Sequence, residues 1–423
     1  MKILIKNGHV VDPGAGLNGP MDILVENALI SKVDKEIKAN GATVIDAAGK
    51  IVIPGLIDMH VHLREPGRED KETIASGTRA ALKGGVTSVL AMPNTTPPID
   101  DVERVRHLKE IVRKTACANV FIAATITRGR LGEELVDIAG LKKEGVVAIT
   151  DDGDSVDRDE VMEAAFKRAK EEKMLVICHS EDRQISGAGV VNLGIMSTQL
   201  GLRGIPKEAE YKRVGRDLRL AAQAGSALHI AHVSCKESVD LIADAKKKGV
   251  RVTAETAPHY FSLSEESLLG YDTNMKMNPP LRSREDVKAI IQGLKDGTID
   301  CIASDHAPHT ESEKEIEFER AEFGVIGLET ELAVAITELI ETGVLDWPGL
   351  VGKLALNPAR ILGIDKGTLK AGSSADIVIL DPAREWKVGR HGFVSKSANS
   401  AFIGRTLKGV VEYTVCNGKI TPS

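Results

Sequence analysis

The stretch "GLIDMHVHLREPG", residues 55–67, predicts a β-strand that ends in metal-binding chemistry. Its apolar residues lead into two histidines one residue apart, and Pro-Gly closes the segment. Because a strand alternates its side chains between two faces, His60 and His62 point the same way and can bind one ion together. A strand end that merely carries polar residues is an equal alternative for an isolated His-x-His pair. The rest of the sequence distinguishes between these two interpretations.

Seven further apolar segments of strand type follow along the chain: "SVLAMPN", "VFIAATIT", "VVAITDD", "MLVICHSED", "ALHIAHVS", "RVTAETAPHY" and "DCIASDHAPH". Helix-length segments with 3.6-residue patterning lie between them, such as "RDEVMEAAFKRAKEE" and "REDVKAIIQGLKDG". Near-continuous apolar strands that alternate with helices are typical of a (β/α)8 barrel. An open doubly wound sheet is the alternative, but no G-x-G-x-x-G follows the first strand. We predict an α/β fold with a TIM-like barrel over residues 55–363.

The two ends of the chain read as short strands separated by Gly and Pro turns. Residues 1–54 and residues 364–423 are each too small to bury a sheet face alone. We therefore expect both ends to combine into one small β-sandwich domain, with the barrel inserted between its two halves.

Composition restricts the function classes. The chain has 423 residues, 42% of them apolar, which is typical of a globular protein with a large core. A net charge of -6 argues against a nucleic-acid backbone as the main partner, so small molecules become the expected ligands. The five cysteines are scattered without a C-x-x-C pair, which favours the reduced cytoplasm. No run approaches 18 apolar residues, so we expect neither a membrane span nor export.

Polar residues with metal-ligand chemistry collect at the predicted strand ends, where barrels form their active sites. Seven of the eleven histidines lie there, together with aspartates. The set comprises His60, His62, Asn94, Asp151, Asp152, His179, His232, His259, Asp305, His306 and His309. Four imidazoles and two carboxylates suffice for two ions of the Zn²⁺ type that share a bridging carboxylate and a hydroxide. Such ions lower the pKa of water from about 15.7 to about 7, which predicts hydrolysis of an amide-like bond.

The motifs "HVHLREPG", "AMPNTTPP", "ITDDGD", "ICHSED", "HIAHVS", "MNPPLR" and "ASDHAPH" occur in an order that resembles the type I dihydroorotases of the amidohydrolase superfamily. The resemblance covers essentially the whole chain. It implies zinc-dependent, reversible interconversion of N-carbamoyl-L-aspartate and (S)-dihydroorotate in pyrimidine (UMP) biosynthesis. It leaves open the oligomeric state, with a homodimer among the alternatives, and an association with aspartate carbamoyltransferase.

The resemblance also implies roles for individual residues. One ion would be held by His60, His62, Asp152 and Asp305, and the second by Asp152, His179 and His232, with Asp152 and a hydroxide as bridges. Asp305 would also shuttle the proton. The substrate-binding set would comprise Arg64, Asn94 and His309 at the substrate carboxylate, Asn278 near the ring, and main-chain groups of Phe323 and Gly324.

Two alternatives are weighed against this assignment. Hydantoinases and allantoinases share the layout but place a carboxylated lysine after the fourth strand, whereas "AITDDGD" offers only aspartates. A non-catalytic scaffold for aspartate carbamoyltransferase would not need every ligand, and here all six ligand positions hold competent residues.

Glu322 is a departure from the family pattern, because similar dihydroorotases usually have proline before the Phe-Gly pair, and it puts the conformation of that loop in question.

Strand alternation predicts that some neighbouring residues face away from the site. His229 and His306 are expected in packing or supporting roles, and Cys178 in the core. Asp152 is preferred to Asp151 through the family match alone, and His259 is left unassigned. The charge-rich segment "HTESEKEIEFERAEFG", residues 309–324, is expected to be a solvated surface or a mobile lid.

Overall fold

Both ends of the chain contribute strands to one mixed sheet. The computed structural model describes residues 2–422. The eight strands of this sheet are β1 (Lys2–Asp12), β2 (Leu17–Glu26), β3 (Leu29–Asp34), β4 (Thr43–Asp46), β5 (Ile51–Pro54), β16 (Ile377–Lys387), β17 (Thr406–Cys416) and β18 (Lys419–Pro422). Their order is β18-β17-β16-β5-β1-β2-β3, with β4 beside β1. The predicted union of the termini is confirmed, while the exact domain boundaries stay predictions.

The two ends are joined by pairing and by packing. Strand β16 runs antiparallel to β5, with Ile377 opposite Pro54. Buried side chains from both ends, including Ile3, Val52, Ile377 and Val415, form one apolar core. Neither end could bury these side chains without the other.

The middle of the chain forms the predicted barrel of eight parallel strands. They are β6 (Leu56–Val61), β7 (Val86–Ala91), β8 (Asn119–Ala124), β9 (Ala148–Ile149), β10 (Leu175–Cys178), β13 (Leu228–Ile230), β14 (Val252–Thr256) and β15 (Cys301–Ile302). They follow one another in chain order around the barrel. A short parallel pair, β11 (Val191–Asn192) and β12 (Gly204–Ile205), lies outside it. Every predicted barrel strand is present, although β9 and β15 are only two residues long.

Helices connect the barrel strands. They are α1 (Ile74–Lys83), α2 (Val102–Thr115), α3 (Ile138–Lys143), α4 (Asp159–Glu171), α5 (Arg183–Ser186), α6 (Ile195–Leu200), α7 (Glu208–Ala224), α8 (Lys236–Lys247), α9 (Pro258–Ser262), α10 (Arg284–Asp296), α11 (Glu311–Lys314), α12 (Glu331–Ala335), α13 (Trp347–Val351) and α14 (Asn357–Leu362). Residues 336–340 and 352–356 are π-helical. Residues 128–130, 265–268 and 273–275 form 3₁₀ turns. In residues 2–422, no helix has the length and apolar character that crossing a membrane requires.

A side chain helps to close the barrel between its first and last strands. The Ser304 N–H lies 3.2 Å from both carboxylate oxygens of Asp58, and the His62 N–H donates to the His306 carbonyl at 2.9 Å. Burial raises the pKa of Asp58 to about 6. This closure brings the His-x-His end of β6 beside the residues that follow β15.

The shared core of the terminal sheet generates a stability prediction. Ile377 is fully buried, so Ile377→Ala should lower the free energy of unfolding by about 2–5 kcal/mol, through lost burial and the cavity left behind. Val44 on β4 is 57% exposed, and Val44→Ala should change the free energy of unfolding by less than about 0.5 kcal/mol. Urea unfolding followed by circular dichroism measures both variants. Equal effects of the two would contradict a core shared by the termini.

Candidate active site

The six residues predicted as metal ligands lie in one buried cluster at the carboxyl ends of the barrel strands: His60, His62, Asp152, His179, His232 and Asp305. Asp152 is central, with its Oδ1 3.1 Å from His60 Nε2. The same oxygen lies 3.8 Å from both His179 Nδ1 and His232 Nε2. Asp305 Oδ1 lies 3.3 Å from His62 Nε2 and 3.6 Å from His60 Nε2. These six side chains come from the carboxyl ends of five different strands, as the sequence predicts.

The backbone turns sharply where three site residues leave their strands. Arg64, His232 and Asp305 have φ values of 61°, 35° and 49°, in the left-handed region. Non-glycine residues enter this region at a cost on the order of 1–3 kcal/mol, and such residues cluster at active sites.

The donor set fits divalent metal ions. Ligand atoms of His60, His62 and Asp305 lie within 4.8 Å of one another, and so do those of His60, Asp152 and His232. His60 Nε2 is buried in the cluster without a hydrogen-bond partner. Imidazole nitrogens combined with carboxylate oxygens are typical ligands of Zn²⁺ and related ions. These groups can therefore bind metal.

The charges in the cluster stabilise one another. Burial alone would raise the pKa values of Asp152 and Asp305, but the neighbouring imidazoles, His60 foremost, hold both below their usual range. Burial alone would lower the pKa of His60, whereas the two carboxylates raise it well above its ordinary value. Both carboxylates are consequently ionised at neutral pH and offer negative charge to a cation.

Each of three cluster histidines has a polar partner on its outer nitrogen. His60 Nδ1 lies 2.8 Å from Glu255, whose other oxygen lies 3.2 Å from His229 Nε2. His62 Nδ1 donates to Asn94 Oδ1 at 2.8 Å. His179 Nε2 lies 3.4 Å from Glu181, on the side away from Asp152. Such contacts fix the ring orientation and turn the other nitrogen toward the cluster, where His179 Nδ1 lies 2.8 Å from His232 Nε2.

Sequence reasoning missed the support given by Glu255. Burial alone would raise its pKa, but hydrogen bonds and charge from His229 and His60 lower it to about 2. It is the one charged residue of the largely buried strand β14. A charged residue within a buried strand is rare unless paired, and that was the available signal.

A cavity of about 700 Å³ opens above the cluster. It is lined by all six residues predicted to bind substrate: Arg64, Asn94, Asn278, His309, Phe323 and Gly324. Arg64 Nε donates to the Pro308 carbonyl at 3.2 Å, and its Nη2 lies 3.4 Å from His309 Nε2. Asn278 donates to Glu181 at 3.0 Å. The substrate roles of these residues stay predictions.

His309 is a neutral ring with both nitrogens engaged. Its Nδ1 accepts from Lys71 Nζ at 3.1 Å, and its Nε2–H donates to the Phe323 carbonyl at 2.8 Å. Burial and the charges of Arg64 and Lys71 hold its pKa well below the usual range. Lys71, which the sequence analysis did not single out, thus adds a buried cation beside Arg64.

Neighbouring polar residues lie outside the cluster. Asp151 accepts the backbone N–H groups of Ile126 and Thr127 at 2.8 and 3.1 Å, so Asp152 is the aspartate that enters the cluster. His306 Nδ1 accepts from the Gly327 N–H at 3.2 Å. Cys178 packs in the barrel core, and burial raises the pKa of its thiol. His259 is buried against Tyr260, and burial lowers its pKa to about 4.

Comparison with known proteins decides the family. Residues 49–238 match the family model described as dihydro-orotase-like. The curated dihydroorotase of Elusimicrobium minutum is 50% identical over 420 residues, covering 99% of this chain and 97% of its own. The dihydroorotase of Geobacter metallireducens is 51% identical over 421 residues, covering 99% of each chain. The chain belongs to the dihydroorotase family. The resemblance inferred from the motifs is confirmed, and with it an enzyme class that hydrolyses a cyclic amide.

Solved structures of hydantoinases share the fold of this dihydroorotase family member. The L-hydantoinase (dihydropyrimidinase) from Arthrobacter aurescens superposes with a TM-score of 0.90 at 26% identity, covering 100% of this chain and 96% of its own. The D-hydantoinase from a Bacillus sp. AR9 gives 0.86 at 27% identity, covering 99% and 94%. The barrel with a sheet from both termini is confirmed. At the end of β9 the cluster contains Asp152 and no lysine.

The support of His60 by Glu255 generates a prediction about metal affinity. His60→Ala should remove at least one bound ion, because it deletes a ligand. Glu255→Gln should weaken binding by about 10- to 100-fold, because the amide supports the ring less well than a carboxylate. Competition against a chromogenic chelator measures both affinities. Asp376→Asn is the matched control, since Asp376 is a buried carboxylate paired with Lys366 beside strand β16 of the terminal sheet. Unchanged affinity in Glu255→Gln would contradict the role of this carboxylate.

Proposed function

We propose that the buried cluster and its cavity interconvert (S)-dihydroorotate and N-carbamoyl-L-aspartate. The observation that carries this proposal is the position of a half-buried guanidinium, Arg64, at the wall of a cavity whose floor is the cluster around Asp152. When the ring amide of dihydroorotate lies over the cluster, Arg64 can hold the carboxylate of the same molecule. The names of the relatives at about half identity support the same substrate.

We assign two Zn²⁺ ions to the cluster. His60, His62, Asp152 and Asp305 would hold one, and Asp152, His179 and His232 the other. The short distances from Asp152 Oδ1 to imidazoles of both sets support it as the bridging ligand. When bound, such ions supply an activated water at neutral pH and polarise the amide carbonyl.

Asp305 is assigned the proton transfer. Its carboxylate belongs to the cluster, lines the cavity and is ionised, so it can accept the proton of the attacking water. The water oxygen bonds to the ring carbonyl carbon, the C–N bond breaks, and Asp305 returns the proton to the leaving nitrogen. Ring closure reverses these steps and consumes a proton overall, so acid favours dihydroorotate.

Arg64 is assigned the substrate carboxylate. Burial lowers its pKa only to about 10, so the guanidinium stays charged and can donate two parallel hydrogen bonds. Lys71 adds positive charge behind His309. A dihydropyrimidinase reaction is the second candidate, favoured by the hydantoinase-like fold, but its ring carries no carboxylate to pair with Arg64.

The assembly state and the location complete the proposal. A homodimer and an association with aspartate carbamoyltransferase are the two assembly hypotheses, and size-exclusion chromatography with and without the carbamoyltransferase distinguishes them. A pure scaffold role is disfavoured, because all six ligand positions are filled. The five free thiols support a cytoplasmic location.

The first functional prediction concerns the proton. Asp305→Asn should lower kcat for dihydroorotate hydrolysis by at least about 10² to 10⁴, because an amide cannot accept the proton. Asparagine tolerates the left-handed backbone at this position, so the fold should survive. Activity is followed as the ultraviolet absorbance change of ring opening.

His306→Asn is the control for this experiment. His306 is adjacent in sequence, but its side chain contacts the Gly327 N–H and lies 3.5 Å from Glu72. Its replacement should cost much less activity. An Asp305→Asn enzyme within tenfold of the parent would move the proton transfer to another group.

The second functional prediction concerns the substrate. Arg64→Met should reduce kcat/KM for dihydroorotate by several orders of magnitude with unchanged metal content. The parent should barely cleave dihydrouracil, the same ring without the carboxylate, because a pocket built for a charged group rejects analogues lacking it by up to about 10⁴ to 10⁵. Comparable kcat/KM for the two rings in the parent would replace the dihydroorotase assignment with dihydropyrimidinase.

A further inference from the structure

Two buried lysines lie behind the loop that closes one side of the cavity. Lys276 is 2% exposed and Lys314 is 3% exposed. Among residues 2–422, no carboxylate lies within 4.0 Å of either ammonium group. Buried lysines are rare unless they are paired, because removing an ammonium ion from water costs free energy. Their position therefore needs a physical explanation.

Main-chain carbonyls supply the partners of both amines. Lys276 Nζ donates to the carbonyls of Phe318, Glu319 and Ala321 at 2.9, 3.0 and 2.6 Å. Lys314 Nζ donates to the carbonyls of Glu322 and Gly324 at 2.9 and 3.0 Å and lies 3.4 Å from that of Lys276. An ammonium group has three donors, and each of these amines uses all three.

These contacts organise residues 318–324, which we call the lysine-bound loop. Five of its seven carbonyls turn inward onto the two amines, and Lys276 Nζ also lies 4.5 Å from the centre of the Phe323 ring. Burial lowers the pKa of Lys276 to about 8 and that of Lys314 to about 7, which shows the cost of placing charge there. A solvated surface segment would not contain such amines.

The loop conformation decides which main-chain groups face the cavity. The Gly324 N–H donates to the Lys276 carbonyl at 2.9 Å, and the Phe323 carbonyl accepts from His309. Of the four main-chain polar groups of Phe323 and Gly324, only the Phe323 N–H lacks a protein partner within residues 2–422. It belongs to a cavity-lining residue and is thus available to a carbonyl oxygen of the ring.

Glu322 fits this conformation. Its N–H donates to the Glu313 carbonyl at 3.2 Å, a bond that proline at this position could not make. Its side chain is exposed, and its carbonyl accepts from Lys314. The departure from the family pattern therefore leaves the main chain of the loop engaged.

We propose that Lys276 and Lys314 are positioning residues that hold the lysine-bound loop in its substrate-binding conformation before substrate arrives. The proposal rests on the dihydroorotase function proposed above. The loop is then a fixed wall of the cavity and not a mobile lid, and two lysine amines outside the cavity lining orient its Phe323 N–H toward the ring.

The test replaces each lysine with methionine, which keeps the length of the side chain and removes the donors. Lys276→Met and Lys314→Met should raise KM for dihydroorotate by about 10- to 100-fold, the effect of lost charged hydrogen bonds, while kcat changes less than about threefold. Hydrogen exchange of the substrate-free enzyme should accelerate in residues 318–324. Lys353→Met is the matched control, since Lys353 is also buried and donates to the Ile299 carbonyl at 2.7 Å, outside the cavity.

A rescue experiment separates the role of the amine from a general loss of stability. Lys314→Ala should recover a low KM in the presence of ethylammonium and not of ethanol, because only the former restores a cationic donor. This variant also serves if Lys314→Met fails to fold. The proposal would be overturned if Lys276→Met and Lys314→Met showed the same KM and the same loop exchange as Lys353→Met. It would also be overturned if neither compound rescued Lys314→Ala.

The outcomes distinguish this inference from the proposed function. A parent enzyme that does not turn over dihydroorotate refutes the function, and the exchange measurement then still tests the loop on its own. A parent that turns over dihydroorotate, with lysine variants of unchanged KM, refutes only the role of the lysines.

Discussion

The structure depends on the burial of two ionised carboxylates, Asp152 and Asp305, at the mouth of the barrel. A buried carboxylate is tolerated only where positive charge or hydrogen-bond donors compensate its lost hydration. Here the compensation comes from four imidazoles, which are held within 3.1 to 3.8 Å of the carboxylates. Divalent ions would satisfy the same requirement more completely, and the imidazole and carboxylate groups are typical ligands for them.

The need to pair buried polar groups extends outward from the cluster through the barrel. His60 can serve the cluster because Glu255 binds its outer nitrogen, and Glu255 is itself held by His229. The first and last strands meet there because Asp58 accepts from Ser304. Glu255 and Asp58 thus each have a partner in the barrel interior, and a loss at one position leaves another buried group unsatisfied.

The barrel and the gathering of candidate ligand side chains at one end of it could be predicted from the sequence, whereas the choice of Asp152 over Asp151 and the metal roles came from the family resemblance and stay predictions. Strand segments show as apolar runs, and parallel strands bring their carboxyl ends to one edge whatever the rest of the chain does. Glu255 could not be found in this way, because its partner His60 lies 195 residues away and only the closed barrel brings them together. Lys276 and Lys314 were missed because lysines usually lie in solvent, and nothing in the neighbouring sequence indicates that main-chain carbonyl groups will surround these amines.

The cavity separates two kinds of charge. Its floor carries the acidic ligands, and its wall carries Arg64 and Lys71, with His309 kept neutral between them. A neutral His309 matters because its Nε2–H then has one orientation, toward Phe323, and Nδ1 can accept from Lys71 only when unprotonated. A substrate with a carboxylate at one end and an amide at the other can satisfy both surfaces in a single orientation. Under the proposed function, this charge pattern would orient the entering ring with its amide over Asp305.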